Sequence, residues 1–234
     1  MHAKTPVTPA PIVSITENAF LQLLVSGVEL YPDPRNRRPR PKRPRITNDD
    51  PGECFGYLFG TQAMQGRRPV LRIEFVVPCQ RVERRNHAEV MPSTRSEERI
   101  MTVLAPFPGL DLLGTFHSHI VKRYGKLEIP DSVEPSQDDH DSWRSWWDDE
   151  RKGDTALELI LGVKEMKRRG AKPPTQDGNC IEGRWERYAY ALGVWFADRG
   201  RVGAKDEELL QPVHWLMCPT AFGITREDFR VVGG

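Results

Sequence analysis

Residues 110–119 read Leu110-Asp111-Leu112-Leu113-Gly114-Thr115-Phe116-His117-Ser118-His119. An apolar run that closes on alternating aromatic and polar residues has the pattern of a β-strand. On a strand, side chains two apart share a face, so His117 and His119 present both imidazoles to one side while Phe116 and Ser118 point to the other. Such a pair is a two-nitrogen grip for a metal, and it is equally what two hydrogen-bonded or exposed histidines look like. What surrounds the strand decides between these readings.

Upstream, Ile12–Ile15 reads as a short strand, and Ser14 or Thr16 can cap a helix with Phe20, Leu23, Leu24 and Val28 at helical spacing, ending before Pro32. CFGYLFG (54–60) and VLRIEFVVP (70–78) read as a hairpin turning near Gly66, and Ser93–Leu104 as a helix with Ile100, Val103 and Leu104 inward. Downstream, Ser136–Arg151 places Trp143, Trp146 and Trp147 on one helical stripe, which reads as core packing. ALELILGV (156–163) suits a central strand, and Tyr188, Tyr190, Leu192, Val194 and Phe196 alternate as in a half-buried one, with 170–183 a loop between them. Helices interspersed with strands and no internal period imply an α/β or α+β layer arrangement in one domain over 1–234.

Composition narrows the function classes. With 34 basic and 33 acidic side chains the net charge is +1, so no global field draws the chain to nucleic acid or membrane. Basic residues are concentrated locally, in a loop over 32–50 whose segment Pro34–Arg45, PRNRRPRPKRPR, has seven basic residues and four prolines among twelve. That composition cannot bury a core and implies an extended surface loop; Arg35–Arg45 is a candidate contact for nucleic acid or another acidic partner. Cys54, Cys79, Cys180 and Cys218 form no CxxC pair, which speaks against a disulfide framework or a zinc knuckle and for a reducing cytoplasm. No apolar run approaches the ~20 residues that span a bilayer, and the N-terminus lacks a signal-peptide pattern.

A catalytic zinc takes three protein ligands, with neutral imidazole nitrogens at ~2.0–2.1 Å, and leaves a position for water. The third ligand to accompany His117 and His119 is expected to be a carboxylate from another element, and Asp131 and Asp139 compete for the place. The set Glu53-Cys54-Phe55-Gly56-Tyr57-Leu58-Phe59-Gly60, then His117-Ser118-His119, then Pro135-Ser136-Gln137-Asp138-Asp139 resembles the JAMM motif of the JAB/MPN metallopeptidase family. The resemblance extends over about 12–196. It implies a curved, mostly antiparallel sheet flanked by helices, with zinc held by His117, His119 and Asp139, Glu53 as general base, and Ser136 helping to hold the oxyanion. Asp139 is preferred to Asp131 because a serine stands three residues before it, where Asp131 has Glu128. This chain departs from the pattern in two places. Ile120 stands where the family has proline, and 120–135 form an insertion beside the metal that is expected to be a mobile flap.

The function implied is an isopeptidase or peptidase acting after the C-terminal glycine of a ubiquitin-like protein, on its conjugates or its precursor, in a bacterial setting such as an antiviral modifier pathway. Two other readings stand beside it: an MPN-like scaffold or nucleic-acid-associated binding module, and a zinc hydrolase of a small peptide adduct. Ser136 and Asp139 also form an S-x-x-D capping box, which accounts for both without catalysis and is compatible with ligation. His87, His140 and His214 have no such partners and read as structural or surface residues.

Overall fold

The computed structural model describes residues 8–29, 31, 53–79, 82–85, 90–104, 106–107, 109–121, 130–146, 155–198 and 209–223. The basic loop 32–50, His87, Trp147 and positions 122–129 of the insertion lie outside them. The elements are β1 (Ile12–Ile15), α1 (Glu17–Glu29), β2 (Phe55–Gln65), β3 (Arg68–Pro78), β4 (Val82–Arg85), β5 (Val90–Pro92), α2 (Thr94–Leu104), β6 (Asp111–Val121), a 3-10 turn η1 (Pro130–Val133), α3 (Gln137–Trp146), β7 (Thr155–Glu165), β8 (Lys172–Asp177), β9 (Cys180–Trp185), β10 (Tyr188–Asp198), β11 (Leu210–Pro212), β12 (Trp215–Met217) and α4 (Pro219–Gly223). The class is α+β: one large mixed sheet with few helices, and a separate β4–β5 hairpin.

The sheet runs β12-β1-β3-β2-β6-β7-β10-β9-β8, with β11 beside β10 past the end of β9. Most neighbours are antiparallel; the parallel pairs are β1–β12, β1–β3 and β6–β7. The strip curls into a half-barrel. Only two residues separate β11 from β12, so the chain steps from one end of the sheet to the other, and the Gln176 side chain of β8 donates to the Leu216 carbonyl of β12 at 2.7 Å.

Alternation along the central strands assigns the two faces. Leu157, Leu159, Leu161 and Val163 of β7, with Leu192 and Val194 of β10, join Phe20, Leu23 and Leu24 of α1 in the main core. Thr16 caps α1, its hydroxyl accepting from Ala19 N at 3.4 Å, and Phe20 meets the Tyr190 ring edge-on. The intervening residues of β7 face the other way, where Ala156 joins Trp143 and Ile160 joins Val133. Helix α1 and helix α3 therefore cover opposite faces. Because β6 and β7 are parallel, the chain between them must cross over, and η1 and α3 make that crossing on the face opposite α1.

Three expectations are corrected. The stretch read as a loop over 170–183 contains the hairpin β8–β9, turning at Gly178 with φ of 54°. Pro173 and Pro174 mask it; they lie where the β8–β9 register slips between Lys172 and Thr175, on an edge strand that tolerates missing N–H groups. Helix α2 forms as expected but buries none of its residues, and Val103 is 65% exposed. It is held by polar contacts, Tyr57 Oη to Glu97 at 3.2 Å and Cys79 Sγ to Ser96 at 3.6 Å, so the side carrying 96, 97 and 100 turns inward and Val103 turns out. The third concerns the insertion. Its end is no flap, for Ser132 and Val133 are buried and the Val133 carbonyl accepts from Trp195 Nε1 at 2.9 Å. Trp143 is buried in the α3-side core, as its spacing predicts.

Candidate metal centre

Strand β6 delivers both histidines to the α3 side, in register with β7: Thr115 beside Glu158, His117 beside Ile160, His119 beside Gly162. Their Nε2 atoms lie 2.9 Å apart. Two imidazole lone pairs facing each other at that distance repel unless a proton or a cation lies between them. Asp139 completes the group, with Oδ1 3.2 Å from His117 Nε2 and Oδ2 3.9 Å from His119 Nε2. These three residues are the cluster of metal-ligating type among the described residues. The side chain of Asp131, in η1, lies outside the described residues.

Asp139 reaches the histidines from the first turn of α3, and the local sequence explains its pose. Ser136 is the N-cap: its hydroxyl accepts from Asp139 N at 3.3 Å, while Asp139 Oδ2 accepts from Ser136 N at 2.6 Å and from the Ser136 hydroxyl at 2.7 Å. This is the reciprocal capping arrangement, and it turns the other carboxylate oxygen toward His117. A negative side chain in the first turn also suits the positive end of the helix dipole.

The far side of each imidazole is engaged as well. His117 Nδ1 lies 2.7 Å from Glu158 Oε1, and His119 Nδ1 lies 2.6 Å from the Ser132 carbonyl. A carbonyl can only accept, so His119 carries its proton on Nδ1 and presents Nε2 bare. Glu158 is itself held, accepting from Thr115 Oγ1 at 2.6 Å and from Trp143 Nε1 at 2.8 Å on its other oxygen. Partners behind metal-bound imidazoles that set tautomer and ring orientation are a general feature of metal sites. Here the donor set, its convergence and the partners behind it are of a kind that could hold a metal ion.

Charges around the pair separate the two histidines. Burial disfavours a charged His117, but the hydrogen bond and charge of Glu158, backed by Asp139 and Glu53, outweigh it and lift the imidazole to about 9. Burial and then the neighbouring His117 push His119 down.

Glu53 is buried just before β2, and extending the Phe55–His117 pairing by two residues sets it opposite His119 on the metal face. Cys54 and Ser118 fix that extension, with Cys54 N donating to Ser118 Oγ and Ser118 N donating to the Cys54 carbonyl, both at 2.9 Å. Of the residues singled out in the sequence, Glu53, His117, His119, Ser136 and Asp139 thus gather at one end of β6. Buried His140 and exposed His214 lie outside the cluster. Sequence reasoning missed Glu158, Thr115, Trp143 and Ser132. Glu158 carried a signal, since a carboxylate inside the apolar run ALELILGV must find donors when buried.

No family profile matches this chain, and no curated protein does. Among solved structures, a protein from Salinibacter ruber determined in solution is similar over 87% of this chain and 90% of its own, at 18% identity and a TM-score of 0.41. The STIL N-terminal domain of Trichoplax adhaerens matches over 80% of this chain and 45% of its own, at 10% identity and a TM-score of 0.32. No helix among the described residues is long and apolar enough to cross a membrane.

Proposed function

We propose that the protein is a zinc-dependent amide hydrolase of the JAB/MPN kind, acting as an isopeptidase or peptidase after the C-terminal glycine of a ubiquitin-like modifier. The observation that carries the reading is the convergence of His117 Nε2, His119 Nε2 and the Asp139 carboxylate on one point, beside a buried Glu53. A zinc ion held there would polarise an amide carbonyl and bring the pKa of a bound water toward ~7. His117 and His119 would each offer Nε2 to the ion, oriented by the partner on Nδ1, Glu158 for the first and the Ser132 carbonyl for the second, with zinc displacing the proton that His117 otherwise holds on Nε2. Asp139 supplies the negative charge, and its second oxygen stays with the Ser136 backbone N–H. Glu53 is the proton carrier: a carboxylate buried beside the ligands takes a proton from water and hands it to the departing amine. The Ser136 hydroxyl, one residue before α3, supports the oxyanion after turning away from Asp139. The modifier is assigned through the resemblance of the motif residues, and the fold of JAB/MPN type with it.

The test combines metal content with turnover. Purified chain is expected to hold about one zinc and to cleave a fluorogenic reporter joined to a modifier ending in diglycine. Glu53→Gln is expected to keep zinc and fold yet lose at least ~10²–10⁴-fold in rate. Wild-type chain that takes up no zinc, or Glu53→Gln that cleaves at the wild-type rate, would sink the reading.

A further inference from the structure

We propose that Glu158 is the positioning residue that decides which nitrogen of His117 faces the metal position, and that Trp143 decides which oxygen of Glu158 is free to do so. The proposal rests on the zinc-site reading above. Three donors converge on one buried carboxylate: His117 Nδ1 at 2.7 Å on Oε1, with Thr115 Oγ1 at 2.6 Å and Trp143 Nε1 at 2.8 Å on Oε2. The two oxygens have different tasks. Oε1 keeps a proton on His117 Nδ1, so that Nε2 is the nitrogen that gives up its proton to a metal. Oε2 holds Trp143, which sits four residues after Asp139 on α3 and hence on the same side of that helix. One carboxylate therefore ties the helix bearing the third ligand to the strand bearing the first, and sets the tautomer of the first at the same time.

The roles follow from donor and acceptor inventories. Indole Nε1 only donates, a threonine hydroxyl does either, and neutral imidazole carries one donor and one acceptor. A carboxylate satisfies all three neighbours at once; an amide cannot. In Glu158→Gln the single oxygen must choose. Facing Trp143, it leaves the amide N–H₂ against His117 Nδ1, which must then accept, so the proton moves to Nε2 and blocks the metal position. Facing His117, it sets N–H₂ against the indole N–H in a site from which water is excluded. Removing the indole donor resolves the conflict. In the double variant Trp143→Phe/Glu158→Gln the oxygen turns to His117, and the amide donates to a rotated Thr115 hydroxyl.

The experiment is zinc affinity of metal-free protein by chelator competition, with cobalt(II) absorption as a second readout of coordination. Wild-type zinc binding is the control, since its absence overturns the site reading itself. Glu158→Gln is expected to bind zinc ~10–100-fold more weakly. Trp143→Phe alone is expected to lose less, and the double variant to recover toward the Trp143→Phe value. Two independent packing defects would instead multiply, so a double variant as weak as the product of the single losses overturns the proposal. So does Glu158→Gln binding zinc within threefold of wild type. Should the buried amide prevent folding, Glu158→Asp keeps the charge but draws the carboxylate back by one methylene, so that it cannot span His117 and Trp143. It is expected to weaken zinc about tenfold by loosening that shell, and wild-type affinity there also overturns the proposal.

Discussion

Gly193 of β10 touches no candidate ligand, yet Gly193→Ala is expected to weaken the metal centre. A Cβ at 193 would lie 2.8 Å from Val133 Cβ, 2.9 Å from its Cγ2 and 3.1 Å from its carbonyl oxygen. Carbon atoms prefer ~3.5–4.0 Å, so the 3-10 turn must retreat by about 0.7–1.2 Å. The atom struck is a Cβ, so backbone moves with it. The neighbouring Ser132 carbonyl, 2.6 Å from His119 Nδ1, would then stand beyond ~3.2 Å, past good hydrogen-bond length, and the 2.9 Å bond from Trp195 Nε1 to the Val133 carbonyl would stretch likewise. Overpacking of this kind costs about 1–3 kcal/mol, or on the order of 2–12 °C in Tm for a domain of this size. Loss of a ligand-orienting partner costs ~10–100-fold in metal affinity. The assays are a thermal melt of the metal-free chain and zinc affinity by chelator competition. A variant that melts lower but keeps wild-type zinc affinity refutes the claim that η1 orients His119; one unchanged in both refutes the close contact itself.

Further expectations follow from the same contacts. Asp139→Ala should abolish stoichiometric zinc, whereas Asp131→Ala should retain it; metal analysis of both variants decides the third ligand. Zinc at 100 times its Kd should stabilise the fold by ~2.7 kcal/mol and raise Tm by several degrees, reversed by chelator; a melt indifferent to zinc argues against a native-state site. Trp195→Phe removes the N–H donated to the Val133 carbonyl and should cost ~1–3 kcal/mol in a denaturant titration, more than a surface tryptophan would. Gly114→Ala should give little folded protein on expression: φ is +152° and a Cβ would stand 1.9 Å from the Leu157 carbonyl oxygen, closing the β6–β7 pairing that carries His117.

Local chemistry in the sequence was enough for whatever depends on period and cap. The alternation at 115–119 places both imidazoles on one face whatever the sheet does next, because the pleat allows nothing else. Ser136 and Asp139, three apart ahead of an apolar stripe, declare a helix start, and the cap that satisfies backbone N–H groups also aims the carboxylate. Register and docking are different, since they are set by groups far apart in the chain. Glu158 stands 41 residues from His117 and Trp143 comes from a crossover helix; nothing in either neighbourhood says they meet. On α2, Val103 obeyed helical spacing and still faced water, because Glu97 and Ser96 found partners on β2 and after β3 first. The end of the insertion likewise reads as a charged loop but becomes core, since Gly193 leaves room for Val133 against β10 and the Ser132 carbonyl fills the space behind His119. The identity of the candidate ligands thus lies in short-range pattern, while their orientation lies in contacts that exist only once the strands have paired.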